Sequence, residues 1–135
     1  MGTSTQVRLT GPTLVRSDAI TDADANSTVA AIDVPANSII PPHGVWVEVV
    51  TAFAGGTPSL DVGDGDDVDG WVDTTAITET STGSYADVDA AYAVTGKLYT
   101  SADTLDVVVA TGATAGCAYV MALIYDVSDE PLTAV

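Results

Sequence analysis

Apolar and polar residues alternate with a period of two along most of the chain, as they do in strands with one buried face. Ser27 to Val34 alternates in this way. His43 to Phe53 places Val45, Val47, Val49 and Thr51 on one face and Trp46, Glu48, Val50 and Ala52 on the other. Leu105 to Ala110 and Cys117 to Val127 are two more runs rich in β-branched and aromatic residues, which favour pleated structure. Shorter pieces are expected at Gln6 to Leu9 and Thr13 to Arg16, divided by Gly11-Pro12, and at Ser59 to Val62 after the turn Gly55-Gly56-Thr57-Pro58. Val88 to Thr100 reads as one or two strands broken near Gly96-Lys97. Ile39-Ile40-Pro41-Pro42 is excluded as a central strand, because proline offers no ladder N–H. Residues 74–84 are polar and poor in helix formers, and Ala86 to Ala93 comes nearest to a helical period. About eight strands joined by small-residue turns predict an antiparallel β-sandwich, most simply a jelly roll. The 135 residues suffice for one domain. Residues 27–135 form the expected sandwich, and residues 1–26 an N-terminal arm or edge strands.

Charge changes this picture more than composition does. Hydrophobic residues make up 47% of the chain, enough for a packed core, but 19 Asp and Glu face 3 Lys and Arg, a net charge of -16. Sixteen of the acids are Asp, and the cations Arg8, Arg16 and Lys97 are scattered. Nothing in such a chain neutralises a run of phosphates or an anionic bilayer surface, so nucleic-acid and membrane binding are excluded as expectations. At molar salt the Debye length shrinks to about 3 Å and self-repulsion fades. An Asp-rich, Lys-poor surface over an ordinary core is therefore the composition expected in brine. A calcium-loaded surface or a basic partner is the competing cause.

Candidate chemistry is sparse. Asp61, Asp64, Asp66, Asp67 and Asp69 fall within one glycine-broken loop, a candidate cation site for Ca2+ or a similar ion. The EF-hand spacing fails, since Val68 stands at the third ligand position counted from Asp64 and Trp71 at the third counted from Asp67. The expected reading is a solvated, salt-screened loop, in which neutralising Asp64 and Asp66 would relieve repulsion. Trp71 directly follows the loop and is placed to anchor it on the sheet. No other cofactor is expected. His43 stands alone, with no G-x-S-x-G nucleophile context, and is read as a loop residue. Cys117, the one cysteine, lies in an apolar run and is read as a buried small hydrophobe. Trp46, Tyr119 and Tyr125 are expected in the core or at subunit contacts. Arg8 and Arg16, set among Val7, Leu9, Leu14 and Val15, are candidate contacts for an acidic partner. The start, Met1-Gly2-Thr3-Ser4-Thr5, lacks the regions of a signal peptide, so a chain made in the cytoplasm is expected.

One family fits the order of these pieces. Val34-Pro35-Ala36-Asn37-Ser38-Ile39-Ile40 is followed by Val45-Trp46-Val47-Glu48-Val49, the Asp61–Gly70 loop, Gly96-Lys97-Leu98-Tyr99 and a closing strand through Leu123-Ile124-Tyr125. Over residues 27–127 this resembles the head decoration (cement) proteins of tailed viruses, and with the acidic composition it implies a virus of a halophilic host. The resemblance implies a jelly-roll fold and no enzyme activity. It also implies homo-oligomers bound to the major capsid protein on the capsid surface of the virion. Two other classes remain open: a tail-fibre or adhesin module with exposed aromatics at one end of the sandwich, and a hydrolase with two fixed carboxylates in a cleft.

Overall fold

The computed structural model describes residues 11–110 and 112–127; Gln6 to Leu9, and Arg8 with them, lie outside the described residues. Ten strands and one short helix follow in order: β1 (Thr13–Arg16), β2 (Ile20–Thr21), β3 (Ser27–Val34), β4 (Ser38–Ile40), β5 (Val45–Ala54), β6 (Ser59–Gly63), β7 (Gly83–Tyr85), α1 (Ala91–Thr95), β8 (Lys97–Tyr99), β9 (Asp103–Ala110) and β10 (Ala115–Asp126). They form antiparallel sheets of seven and three strands.

β10 is the spine of the larger sheet. One of its edges pairs with β1, Thr13 opposite Ile124, and with β2, Ile20 opposite Ala118. Its other edge pairs with β5 from Ala115 to Ala122 and with β4 at Tyr125 and Asp126. Alternate N–H groups of a strand point to the same edge. Accordingly, Leu123 and Val127 donate to Gly44 and Asn37 beside β5 and β4, whereas Val120 exchanges bonds with Ser17 next to β1. β4 and β5 are thus two pieces of one track, parted by Pro41 and Pro42. β8 pairs with β4 and β7 with β5, making an outer track that is also in two pieces.

In the smaller sheet β9 lies between β3 and β6, and Val72 bridges to Val62 at the edge of β6. The two track orders, β1–β10–β5–β7 and β3–β9–β6–Val72, with the chain crossing between sheets, are those of a jelly roll. The core is the inward set of both sheets, including Val47, Val49, Val62, Leu105, Val107 and Val120.

Several local expectations are revised. Ile39 and Ile40 do lie inside the sheet, because β4 ends before the prolines and no ladder N–H is missed. Thr51 is exposed, because the register shifts on either side of its pairing with Cys117, and Phe53 is back on the inward face. The Phe53 ring lies over Gly116 (φ +146), where any Cβ would collide with it. Val88 to Thr100 breaks at Gly96 as expected and is a strand after it, but before it the chain is helical. The Asp87 carboxylate accepts from the N–H groups of Asp89 and Ala90, α1 follows, and Gly96 (φ +67) ends it before β8. The polar stretch 74–84 contains a 3-10 turn, Thr74–Ala76, and the start of β7.

Candidate functional site: an acidic loop closed by Lys97

The acidic loop leaves β6 at Gly63 and turns on Asp64. Oδ1 of Asp64 accepts the N–H groups of Asp66 (3.0 Å) and Asp67 (3.1 Å), an Asx-type turn that needs a short acceptor. Oδ2 accepts from Lys97 Nζ (2.6 Å) and from the Tyr99 hydroxyl (2.8 Å). Tyr99 in turn accepts from Trp71 Nε1 (3.0 Å), and Trp71 is wholly buried. Trp71 therefore anchors the loop, as its position in the sequence predicts. Lys97 also reaches Asp66 Oδ2 (3.0 Å) and the Tyr92 hydroxyl (3.3 Å), with its ammonium 4.5 Å from the centroid of the Tyr92 ring.

The electrostatics are those of a closed charge pair. Burial works to raise the Asp64 pKa, but Lys97, Tyr99 and two backbone N–H groups outweigh it and hold the carboxyl below its usual range. Burial likewise opposes charge on Lys97, and the carboxylates of Asp64 and Asp66 with the Tyr92 hydroxyl push its pKa above 10.5 instead. Burial raises the Tyr99 phenol, with Asp64 adding to the shift. Both members of the pair stay ionised, and their charges are turned toward each other.

The other loop acids point elsewhere. Asp61 accepts the Thr74 N–H (2.8 Å), and burial leaves its pKa raised. Asp67 and Asp69 help line a cleft of about 580 Å³ together with Asp73, Asp87 and Asp89. The neighbouring Asp67 carboxyl, with some burial, raises the Asp69 pKa. Asp73 accepts from Thr75, which lowers its pKa. For Asp87 burial is outweighed by the N–H groups of Asp89, Asp73 and Ala90, again a net lowering. The two firmly held cleft carboxylates are thus turn caps kept in the ionised form. Among the described residues no three His, Cys, Asp or Glu side chains converge as metal ligands would. In the sequence Lys97 stands only as one of three scattered cations. Its period-two spacing to Tyr99, in a chain so short of cations, is the signal that could have placed it on the acidic loop.

The remaining candidates fall away from this loop. His43 is an exposed turn residue (φ +59) whose Nδ1 lies 3.3 Å from the Asp87 carbonyl. Cys117 is half-buried rather than buried, because Gly116 and Ala118 take the inward positions of β10. Arg16 ends β1 with its guanidinium 4.5 Å from the centroid of the Tyr119 ring. Trp46, Tyr119 and Tyr125 are half-buried on the outer face of the larger sheet.

This architecture has relatives among solved structures. A chain in the acidic stable capsid structure of Helicobacter pylori bacteriophage KHP30 superimposes with a TM-score of 0.65 at 16% identity, covering 97% of this chain and 100% of that one. A chain in the capsid asymmetric unit of cyanophage Pam1 gives 0.52 at 19% identity, covering 95% and 89%. They share its fold. No family model and no curated protein matches the sequence.

Proposed function

We propose that this chain is a non-enzymatic structural protein of a virion that binds the assembled capsid lattice and stabilises it. The observation that carries the reading is the end-to-end match of its jelly roll to chains in two phage capsid structures, with no large segment left over on either side. A protein that binds neighbouring shell subunits once they are assembled, but not when loose, stabilises the shell by its binding free energy. The loop chemistry agrees, because its best-held carboxylates are spent on Lys97, Tyr99 and main-chain N–H groups. Trp46, Tyr119 and Tyr125 lie half-buried along a sheet face and Trp71 and Tyr99 are buried, which does not favour the exposed end cluster of the adhesin alternative. The surface charge of -16 suits a particle that persists in brine.

The test is to quantify this chain in purified native particles and to compare the rupture temperature of particles with and without it. A copy number commensurate with the icosahedral lattice, and earlier rupture of stripped particles, is the expected result. Absence from particles, or equal robustness, would overturn the reading.

A further inference from the structure

The two outer faces of the sandwich differ in kind. On the smaller sheet the outward positions include Asp33, Asp61 and Asp106, with Thr28 opposite Val108. On the larger sheet the outward positions of β10 are Cys117, Tyr119, Met121, Leu123 and Tyr125, so this strand is apolar on both sides. Such two-sided strands are usual where a second layer covers the sheet. Cross-strand partners extend the field. Leu14 stands opposite Leu123, Trp46 opposite Met121, and Ile39 lies between Tyr125 and Leu98. Leu14 is 56% exposed and Leu98 53%. The one carboxylate among the paired positions of this face, Glu48, accepts from Trp46 Nε1 and Ser84, and Arg16 balances it.

We propose that this outer face, centred on Met121 and Leu123, is where two copies of the chain meet. Area and charge both argue for it. Four tracks about 4.8 Å apart, read over the nine residues from Cys117 to Tyr125 at about 3.4 Å each, give roughly 600 Å² per copy. Two such faces together reach about 1,200 Å², the lower bound of a stable interface. Two molecules of charge -16 repel wherever carboxylates face each other, and this is the face on which the charges nearly cancel. The partner must supply an apolar, nearly neutral surface of matching size, and a second copy carries one.

The experiment is sedimentation equilibrium of the full chain at micromolar concentration in molar KCl, with reductant present because Cys117 lies on the same face. The native chain is expected to be dimeric. Leu14→Glu plus Leu123→Glu should weaken the dimer roughly 100-fold, because charge enters a desolvated centre. Thr28→Glu plus Val108→Glu, a cross-strand pair on the opposite sheet carrying the same added charge, should leave it intact. Leu14→Glu alone serves if the double variant loses its native circular dichroism. A monomeric native chain, or a dimer indifferent to the Leu14 and Leu123 changes, overturns the inference. Particle co-sedimentation is measured separately. A monomer that coats particles sinks the dimer and spares the capsid reading. A monomer that coats particles only while Leu14 and Leu123 are intact assigns the face to the shell protein, and also overturns the inference.

Discussion

The Lys97 ammonium lies 2.6 Å from Oδ2 of Asp64, a carboxylate whose side chain is fully enclosed, although 33 residues separate the two in sequence. In a chain this acidic an Asp would ordinarily be a surplus charge. Here it is the fixed point of the loop.

Removing either partner should therefore hurt. Lys97→Met leaves a buried carboxylate without its counter-ion and should cost about 3 kcal/mol in chemical denaturation. Asp64→Asn should also destabilise, at low salt as well as high, the reverse of the relief expected for a solvated loop. In the double variant the losses should fall well short of their sum. An additive pair of losses would mean that the contact contributes little.

Acid and base should act through different groups. Asp64, Asp73 and Asp87 have folded pKa values below 3.8, so their contribution is complete above that value and is lost as pH falls through the lower folded values. Asp61 and Asp69 are raised above 3.8, so the folded form takes up their protons first and gains stability as pH falls toward that value. Thermal melts should thus rise on mild acidification from neutrality and drop steeply once pH passes below 3.8. Lys97 contributes fully below 10.5, and its share is lost only as pH climbs through its higher folded value. A melting curve that declines continuously from neutral pH would contradict this assignment.

Salt should stabilise without regard to the cation's identity. With a net charge of -16 to screen, the melting temperature should be higher in molar KCl or NaCl than in dilute buffer, and equal in the two salts. Calcium at millimolar concentration should add nothing beyond its ionic strength if Lys97 is the loop's cation. A calcium-specific rise, reversed by chelation, would instead place an ion among these carboxylates.

Arg16 offers a cleaner probe of capsid contact than truncation. Deleting residues 1–16 would strip β1 from the edge of β10, so lost binding would be confounded with lost fold. Arg16→Ala removes an exposed guanidinium stacked on Tyr119, and should change stability by about 1 kcal/mol or less. Arg16 stands opposite Met121 on the proposed dimer face, so occupancy on particles is read beside sedimentation, and a fall in a variant that stays dimeric is the result expected of a capsid contact. Unchanged occupancy would remove Arg16 from the contact.

Gly116 tests the sandwich itself. Gly116→Ala drives a Cβ into the Phe53 ring at a backbone angle (φ +146) that side chains avoid. It should cost on the order of 2 kcal/mol, read as a lower denaturation midpoint with unchanged slope.

Period-two patterning made the long strands legible: β3 and β10 lie within a residue or two of where alternation puts them, β10 because it buries one full face and β3 because its apolar residues are continuous with that pattern up to Val34. It misplaced Thr51 because a bulge leaves no mark in hydrophobicity. The short strands β4, β7 and β8 escaped, or were read as longer runs, since three residues cannot establish a period. Trp71 was readable as an anchor from its position beside the loop. The Lys97–Asp64 contact was not, because a lone lysine says nothing about which of sixteen aspartates it will meet.

The spine position of β10 has a temporal consequence. β1 and β2 take their ladder partner, and β4 and β5 one of their two, from a segment that begins only at Ala115. During synthesis the larger sheet has no centre until that segment leaves the ribosome, whereas β3, β6 and β9 can already pair. The smaller sheet is therefore the half that can form on the nascent chain. The larger one must close afterward, around sequence-distant contacts that make folding slow and leave strand edges open in the interval.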